Sequence, residues 1–214
     1  MNTTTRRESD TRLTQALTCH DPSVRLRAAL AAGTSGDAET LELLVERCGI
    51  ESDFFVRDML TWALCRMPAD RTVPRLLVEL GSDLPQARSQ ALHTLSKIGD
   101  PRTWPGVSPM VHDTDDEVVR AAWRAAVALV PTGSESDLAV SMADEFGRGD
   151  EDLQRSLSRA LVALGEASVA ATTAALTSDH PQVRAHAEAT QRLREDPDSG
   201  FAVSLFLAAT GRSE

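Results

Sequence analysis

The sequence predicts an all-α fold, a right-handed α-solenoid of about six helical hairpins. A recurring arginine gives the first indication, because it returns every 29 to 35 residues, at Arg25, Arg57, Arg88, Arg120, Arg155 and Arg184. The second is the apolar pattern around each arginine, which repeats with helical spacing. A period of this length is typical of stacked helical hairpins rather than of one globular core.

The first copy shows where each repeated helix begins and ends. In DPSVRLRAALAAG, Asp21 is in an N-cap position and Pro22 in the first helical position. Val24, Ala28 and Ala32 follow at a spacing of four residues and form one face. We expect Gly33 to end this helix. The later copies repeat the pattern, and the fifth copy is offset by one residue.

An apolar helical segment precedes each arginine-bearing helix. We call the first segment of each hairpin helix A and the arginine-bearing one helix B. Pro105 and Pro109 predict a short or broken helix A after Trp104. Three segments are expected: a disordered tail over 1–9, the solenoid over 10–195, and a capping helix and tail over 196–214.

The repeats resemble the HEAT-repeat family, also known for its PBS-lyase-type members. The resemblance rests on the pattern D-x-x-V-R-x-x-A at Asp21, Val24, Arg25 and Ala28, and on V-R-x-x-W beginning at Val119. The third and fifth copies depart from it, with Ala87 and Gln154 before the arginine. The resemblance implies a curved surface that binds proteins, and it says little about a specific partner.

In such repeats, arginines and nearby acids form a ladder between neighbouring hairpins. The resemblance therefore implies that these residues stabilise the fold, and ligand binding by the arginines is the alternative. The predicted ladder residues are Asp21, Arg25, Asp53, Arg57, Arg88, Asp116, Arg120, Arg155 and Arg184.

Composition limits the functional classes. The formal net charge is −10, whereas a protein that mainly grips phosphates is usually basic, so nucleic acid is a disfavoured partner. Three cysteines without metal-like spacing favour reduced thiols and a cytoplasmic protein. The start of the sequence lacks the apolar stretch of a signal peptide, and no apolar run is long enough for a membrane span.

Motifs that carry chemistry are not found in the sequence. None of the five histidines forms a pair with established metal spacing, and the sequence contains no phosphate-binding loop and no nucleophile elbow. We therefore predict no catalytic residue, no metal and no cofactor.

The candidate binding surface is the side of the B helices that faces away from the hairpin core. Trp62 lies six residues after Val56, so a helix turns it 240° from that core valine. In the HEAT family this side lines the concave groove, although Trp62 packing beneath a neighbouring helix is an equal alternative. The predicted partner-binding residues are Asp58, Trp62, His93, Arg124 and Arg159.

Two functions from different classes fit this prediction. The first is a noncatalytic scaffold that binds a protein or peptide in the groove. The second is a DNA-binding repair protein similar to the alkylpurine DNA glycosylases, with Trp62, Asp58, Arg124 and Arg159 in a DNA groove. The acidic total charge and the 4% aromatic content favour the first. The sequence does not define the oligomeric state.

Overall fold

The computed structural model describes residues 11–197 and Phe201, and all regular structure in this part of the chain is helical. The predicted all-α solenoid class is thus confirmed. The α-helices are α1 (residues 11–17), α2 (Pro22–Ser35), α3 (Leu41–Ile50), α4 (Phe54–Arg66), α5 (Ala69–Glu79), α6 (Pro85–Ile98), α7 (Trp104–Val107), α8 (Asp116–Leu129), α9 (Glu135–Ala143), α10 (Glu151–Ala163), α11 (Val169–Ala175) and α12 (Pro181–Glu195).

Two compact units make up the chain, Met1–Thr103 and Trp104–Glu214. The predicted solenoid over residues 10–195 spans both. The predicted tail over 1–9 and, apart from residues 196–197 and Phe201, the predicted terminal segment lie outside the described residues.

Acidic N-caps start several B helices, as the sequence predicts. The Asp21 carboxylate accepts a hydrogen bond from the Ser23 N–H at 2.8 Å. Asp53 and Asp150 make the same kind of cap at α4 and α10. Each carboxylate satisfies a backbone donor that has no partner within its helix.

In the first unit, the B helices α2, α4 and α6 pack in series, α2 on α4 and α4 on α6. The A helices lie beside them, with α3 against α4 and α6, and α5 against α6. Leucines fill the space between the layers, including the fully buried Leu44, Leu60, Leu64 and Leu92.

In the second unit, α10 packs against both α8 and α12. Its core is built around Trp123, which is fully buried and donates from its indole Nε1 to the Val111 carbonyl at 3.1 Å. The interrupted helix A that the sequence predicts is observed, because α7 has only four residues and continues as a 3-10 helix, Ser108–His112.

The end of α2 differs from the prediction. Gly33 does not stop the helix, which continues to Ser35 and ends at Gly36 with φ 63°. Gly33 instead faces α4, where an added Cβ would lie 2.5 Å from the Trp62 ring and 2.8 Å from the Ala63 Cα. Glycine is needed at this position because the two B helices approach closely.

Candidate functional site

Four of the recurring arginines close the turn between helix A and helix B. The Arg57 Nη1 donates to the carbonyl oxygens of Glu51 and Ser52, at 2.8 and 2.9 Å. Equivalent bonds to carbonyls five or six residues earlier join Arg25 to Cys19 and His20, Arg88 to Ser82, and Arg184 to Ser178. A permanently charged donor thus satisfies carbonyls that the turn leaves outside a helix.

Glu51 connects two of the repeats in the first unit. Its fully buried carboxylate accepts two hydrogen bonds from Arg25, both at 2.7 Å, and bonds from Arg47 and the Asp53 N–H. Burial alone would raise the pKa of Glu51, but the bonds from Arg25, the Asp53 N–H and Arg47 outweigh it and lower the pKa to about 2. Glu51 is therefore an ionised link between α2, α3 and the start of α4.

The acids expected in the ladder have other contacts. Asp21 and Asp53 cap their own helices, and Asp116 accepts from Arg148 at 2.9 Å. Arg120 lies 3.9 Å from Glu117, whereas Arg155 pairs with Glu151 at 2.9 Å, one helical turn earlier. The partner of Arg25, Glu51, was not in the predicted set, because nothing in the sequence relates two charges 26 residues apart.

We propose that the repeated arginines stabilise the fold, and the carbonyl contacts of four of them support this proposal. Arg57→Ala is expected to lower the free energy of unfolding by about 1–3 kcal/mol, because it removes charged hydrogen bonds to two carbonyls. The measurement is urea denaturation followed by circular dichroism.

The matched control is Arg27→Ala, since Arg27 is an exposed arginine on α2, and it should change stability by less than about 0.5 kcal/mol. If Arg57→Ala keeps the wild-type stability but loses a partner, the arginine is a ligand contact and the proposal is wrong.

Trp62 lies on the side of α4 away from the helical core and is 39% exposed. One edge of its ring packs on Gly33 of α2, and the Arg66 guanidinium lies 5.7 Å from the ring centroid. This combines the two orientations that the sequence left open, because the indole covers part of α2 and still presents a face to solvent. Packing against α2 restricts the ring, and a side chain that is already restricted loses less entropy when a partner binds.

The other predicted binding residues are distributed over both units. Asp58 is exposed on α4 and His93 is half-buried on α6, in the first unit. Arg124 on α8 and Arg159 on α10 are exposed in the second unit. Small side chains near these residues on the same helices are buried: Thr61, Ala121, Ala125 and Ala160.

His112, Ser141 and Glu145 form a hydrogen-bonded chain in the second unit. The imidazole Nδ1 lies 2.6 Å from a Glu145 carboxylate oxygen, and Nε2 lies 2.8 Å from the Ser141 hydroxyl. Serine, histidine and carboxylate in this order can activate a nucleophile. However, Ser141 lies within α9, where the helix itself uses the nearby backbone N–H groups that would have to stabilise an oxyanion. The chain joins the 3-10 helix Ser108–His112 to α9.

His186 is fully buried at a junction that the sequence did not reveal. The Gly147 N–H donates to its Nδ1 at 3.0 Å, so the ring proton is on Nε2, which donates to the Gln154 carbonyl at 2.9 Å. Nε2 also lies 3.1 Å from the Ser158 hydroxyl. Burial lowers the pKa of His186 to about 4, although the bond to Gln154 opposes the shift. The neutral ring connects α12, α10 and the turn before α10.

Among residues 11–197 and Phe201, no group of three His, Cys, Asp or Glu side chains is placed to hold a metal ion. Over the same residues, every helix is too short or too polar to cross a membrane.

The chain belongs to the HEAT-repeat family. The family model described as HEAT repeats matches residues 6–65 and 51–128, more than half of the sequence. The matched residues include the repeated arginines Arg25, Arg57, Arg88 and Arg120. A comparison with curated proteins gives no match.

Several solved structures are similar at low identity. An engineered protein is 19% identical, with 95% of this chain and 98% of that chain covered and a TM-score of 0.47. Human deoxyhypusine hydroxylase in complex with glycerol is 17% identical over 96% of each chain, with a TM-score of 0.45. The complex of CpcE and CpcF of phycocyanin lyase from Nostoc sp. is 21% identical, covering 96% and 82%, with a TM-score of 0.40.

Proposed function

We propose that this protein is a noncatalytic HEAT-repeat scaffold that binds a protein or peptide in its concave groove, on the side of the B helices that faces away from the hairpin core. The observation that carries the proposal is the exposed indole of Trp62, whose ring packs on Gly33 and has the Arg66 guanidinium 5.7 Å from its centroid. Tryptophan and arginine are enriched among the residues that dominate binding energy at protein interfaces.

The chemistry of this face suits a partner with both an apolar and an acidic side chain. An apolar side chain would cover the exposed indole, and a carboxylate could pair with the Arg66 guanidinium above it. Arg124 and Arg159 are further exposed cations on the B helices of the second unit. Such contacts require no cofactor and no bond chemistry.

Trp62→Ala is expected to weaken partner binding by about 30-fold, which corresponds to about 2 kcal/mol. The physical reason is the loss of the rigid apolar surface between α2 and α4. Capture from cell extract, with and without nuclease, finds the partner and separates proteins from nucleic acid. Titration of the purified partner then measures the affinity.

Val78→Ala is the control, because Val78 is a large exposed apolar residue on helix A, α5, and it should leave binding unchanged. Arg124→Glu and Arg159→Glu test the second unit separately. If folded Trp62→Ala binds the partner as tightly as the wild type, Trp62 is not the anchor and the proposal is wrong. If nuclease abolishes capture, the DNA-binding alternative is favoured.

A further inference from the structure

A second exposed apolar surface lies at one edge of the first unit. Four large side chains point to solvent at the turns between helices A and B: Ile50 is 59% exposed, Phe54 65%, Phe55 70% and Leu84 52%. We call these four residues the turn patch. The phenyl rings of Phe54 and Phe55 meet edge to face, with centroids 5.6 Å apart.

The side chain of Gln86 joins the two turns of the patch. The Gln86 side-chain amide donates to the carbonyls of Cys48 and Glu51, at 3.1 and 2.7 Å. Leu84 lies two residues before Gln86, and Ile50 lies between the two accepting residues. The start of α6 is therefore attached to the α3–α4 turn, and the apolar side chains of two successive repeats share one edge.

The basic side chains near this edge turn inward. Arg47 is bound to the buried Glu51, with only 17% of its side chain exposed. Arg57 donates to the Glu51 and Ser52 carbonyls, and Arg88 donates to the Ser82 carbonyl. These three guanidinium groups therefore have partners within the fold, on Glu51 and on backbone carbonyls.

Carboxylates, in contrast, remain exposed around the patch. Glu46 lies one helical turn before Ile50 on α3, and Asp83 directly precedes Leu84. Asp58 lies one turn after Phe54 on α4, at the border with the Trp62 face. The patch is thus an apolar surface with an acidic margin.

We propose that the turn patch binds an amphipathic, basic segment of a partner protein. Leucine-like side chains of that segment cover Phe54, Phe55 and Leu84, and its lysines or arginines meet Glu46 and Asp83. Burial of aromatic and aliphatic side chains supplies the affinity, and the carboxylates select against acidic segments. The patch adjoins the Trp62 face, because Phe55 lies seven residues before Trp62 on the same side of α4. Ile50 and Leu84 lie outside α4, so Leu84→Ser tests the patch apart from that face.

Two synthetic helical peptides of equal length test the proposal, one built of leucine and lysine and the other of leucine and glutamate. Isothermal titration calorimetry should detect binding of the lysine peptide alone, weaker at about 1 M than at about 0.1 M salt. The double variant Phe54→Ser, Phe55→Ser should weaken this binding at least about tenfold. Glu46→Lys with Asp83→Lys should reverse the preference between the peptides.

The control variant Val78→Ser, Val140→Ser removes exposed apolar surface elsewhere and should bind like the wild type. Leu84→Ser gives an independent test of the patch if the phenylalanine variant does not fold by circular dichroism. The proposal is overturned if the control variant loses binding equally, or if both peptides bind the wild type equally well. A wild-type dimer that becomes monomeric in the phenylalanine variant, seen by light scattering, would show that a second copy occupies the patch.

Discussion

Glu51→Ala is expected to lower the free energy of unfolding by about 3–5 kcal/mol, the cost of removing one partner from a buried ion pair. The guanidinium of Arg25 would remain in place with its main charged partner gone, and Arg25 is itself buried. Arg47 would also lose its acceptor. Urea denaturation followed by circular dichroism gives the difference.

Glu46→Ala is the control, since Glu46 is an exposed glutamate on the same helix, α3. It should change stability by less than about 0.5 kcal/mol. If the two variants have similar stability, the buried Glu51 carboxylate stabilises the fold no more than an exposed glutamate does.

The same carboxylate should make stability depend on pH. The pKa of Glu51 is lowered from 4.5 to about 2 in the folded state, so the unfolded state binds more protons between these values. Its contribution to stability is therefore present above about pH 4.5 and is lost as the pH falls towards 2. Glu51→Gln should lose this part of the acid dependence.

His186→Ala is expected to lower the free energy of unfolding by about 2–4 kcal/mol. The change leaves the Gly147 N–H and the Gln154 carbonyl without their imidazole partner, and it opens a cavity beside Phe146, whose ring centroid lies 4.8 Å from that of His186. Calorimetry should show the loss as a lower melting temperature.

His180→Ala is the matched control, because His180 is exposed at the start of the same helix, α12, and makes no side-chain cap. A further check is pH. With the pKa of His186 lowered from 6.5 to about 4, wild-type stability should decrease as the pH falls through this interval. If His186→Gln shows the same dependence, another group causes it.

The repeats and the starts of the helices were predictable because they depend on neighbours in sequence. Asp21 and Pro22 mark the start of α2 through local hydrogen bonding and a fixed φ angle, and both act as expected. The direction of Trp62 away from Val56 also followed from the 100° turn per residue, whereas its partial packing on α2 did not. The prediction that Gly33 ends α2 was wrong. Glycine is favoured both where a helix ends and where two helices approach closely, and the sequence alone does not distinguish these cases.

The links between repeats were not predictable from one sequence. Glu51 was overlooked because the partner of Arg25 is chosen by packing over 26 residues. The buried position of His186 was not predicted, because the groups that bond its ring come from two other segments of the chain. Phe55 carried a usable signal, because it lies seven residues before Trp62 and so on the same side of α4.

The close approach of α2 and α4 at Gly33 also bears on how such a chain can be rearranged. The second repeat has Cys65 at the position that Gly33 occupies in the first, nine residues after the valine. A duplicated second repeat placed ahead of α4 would bring a Cβ into the Trp62 ring and the Ala63 backbone. These two hairpins are therefore not interchangeable modules, because the first has room only for glycine at a position where the second has a side chain.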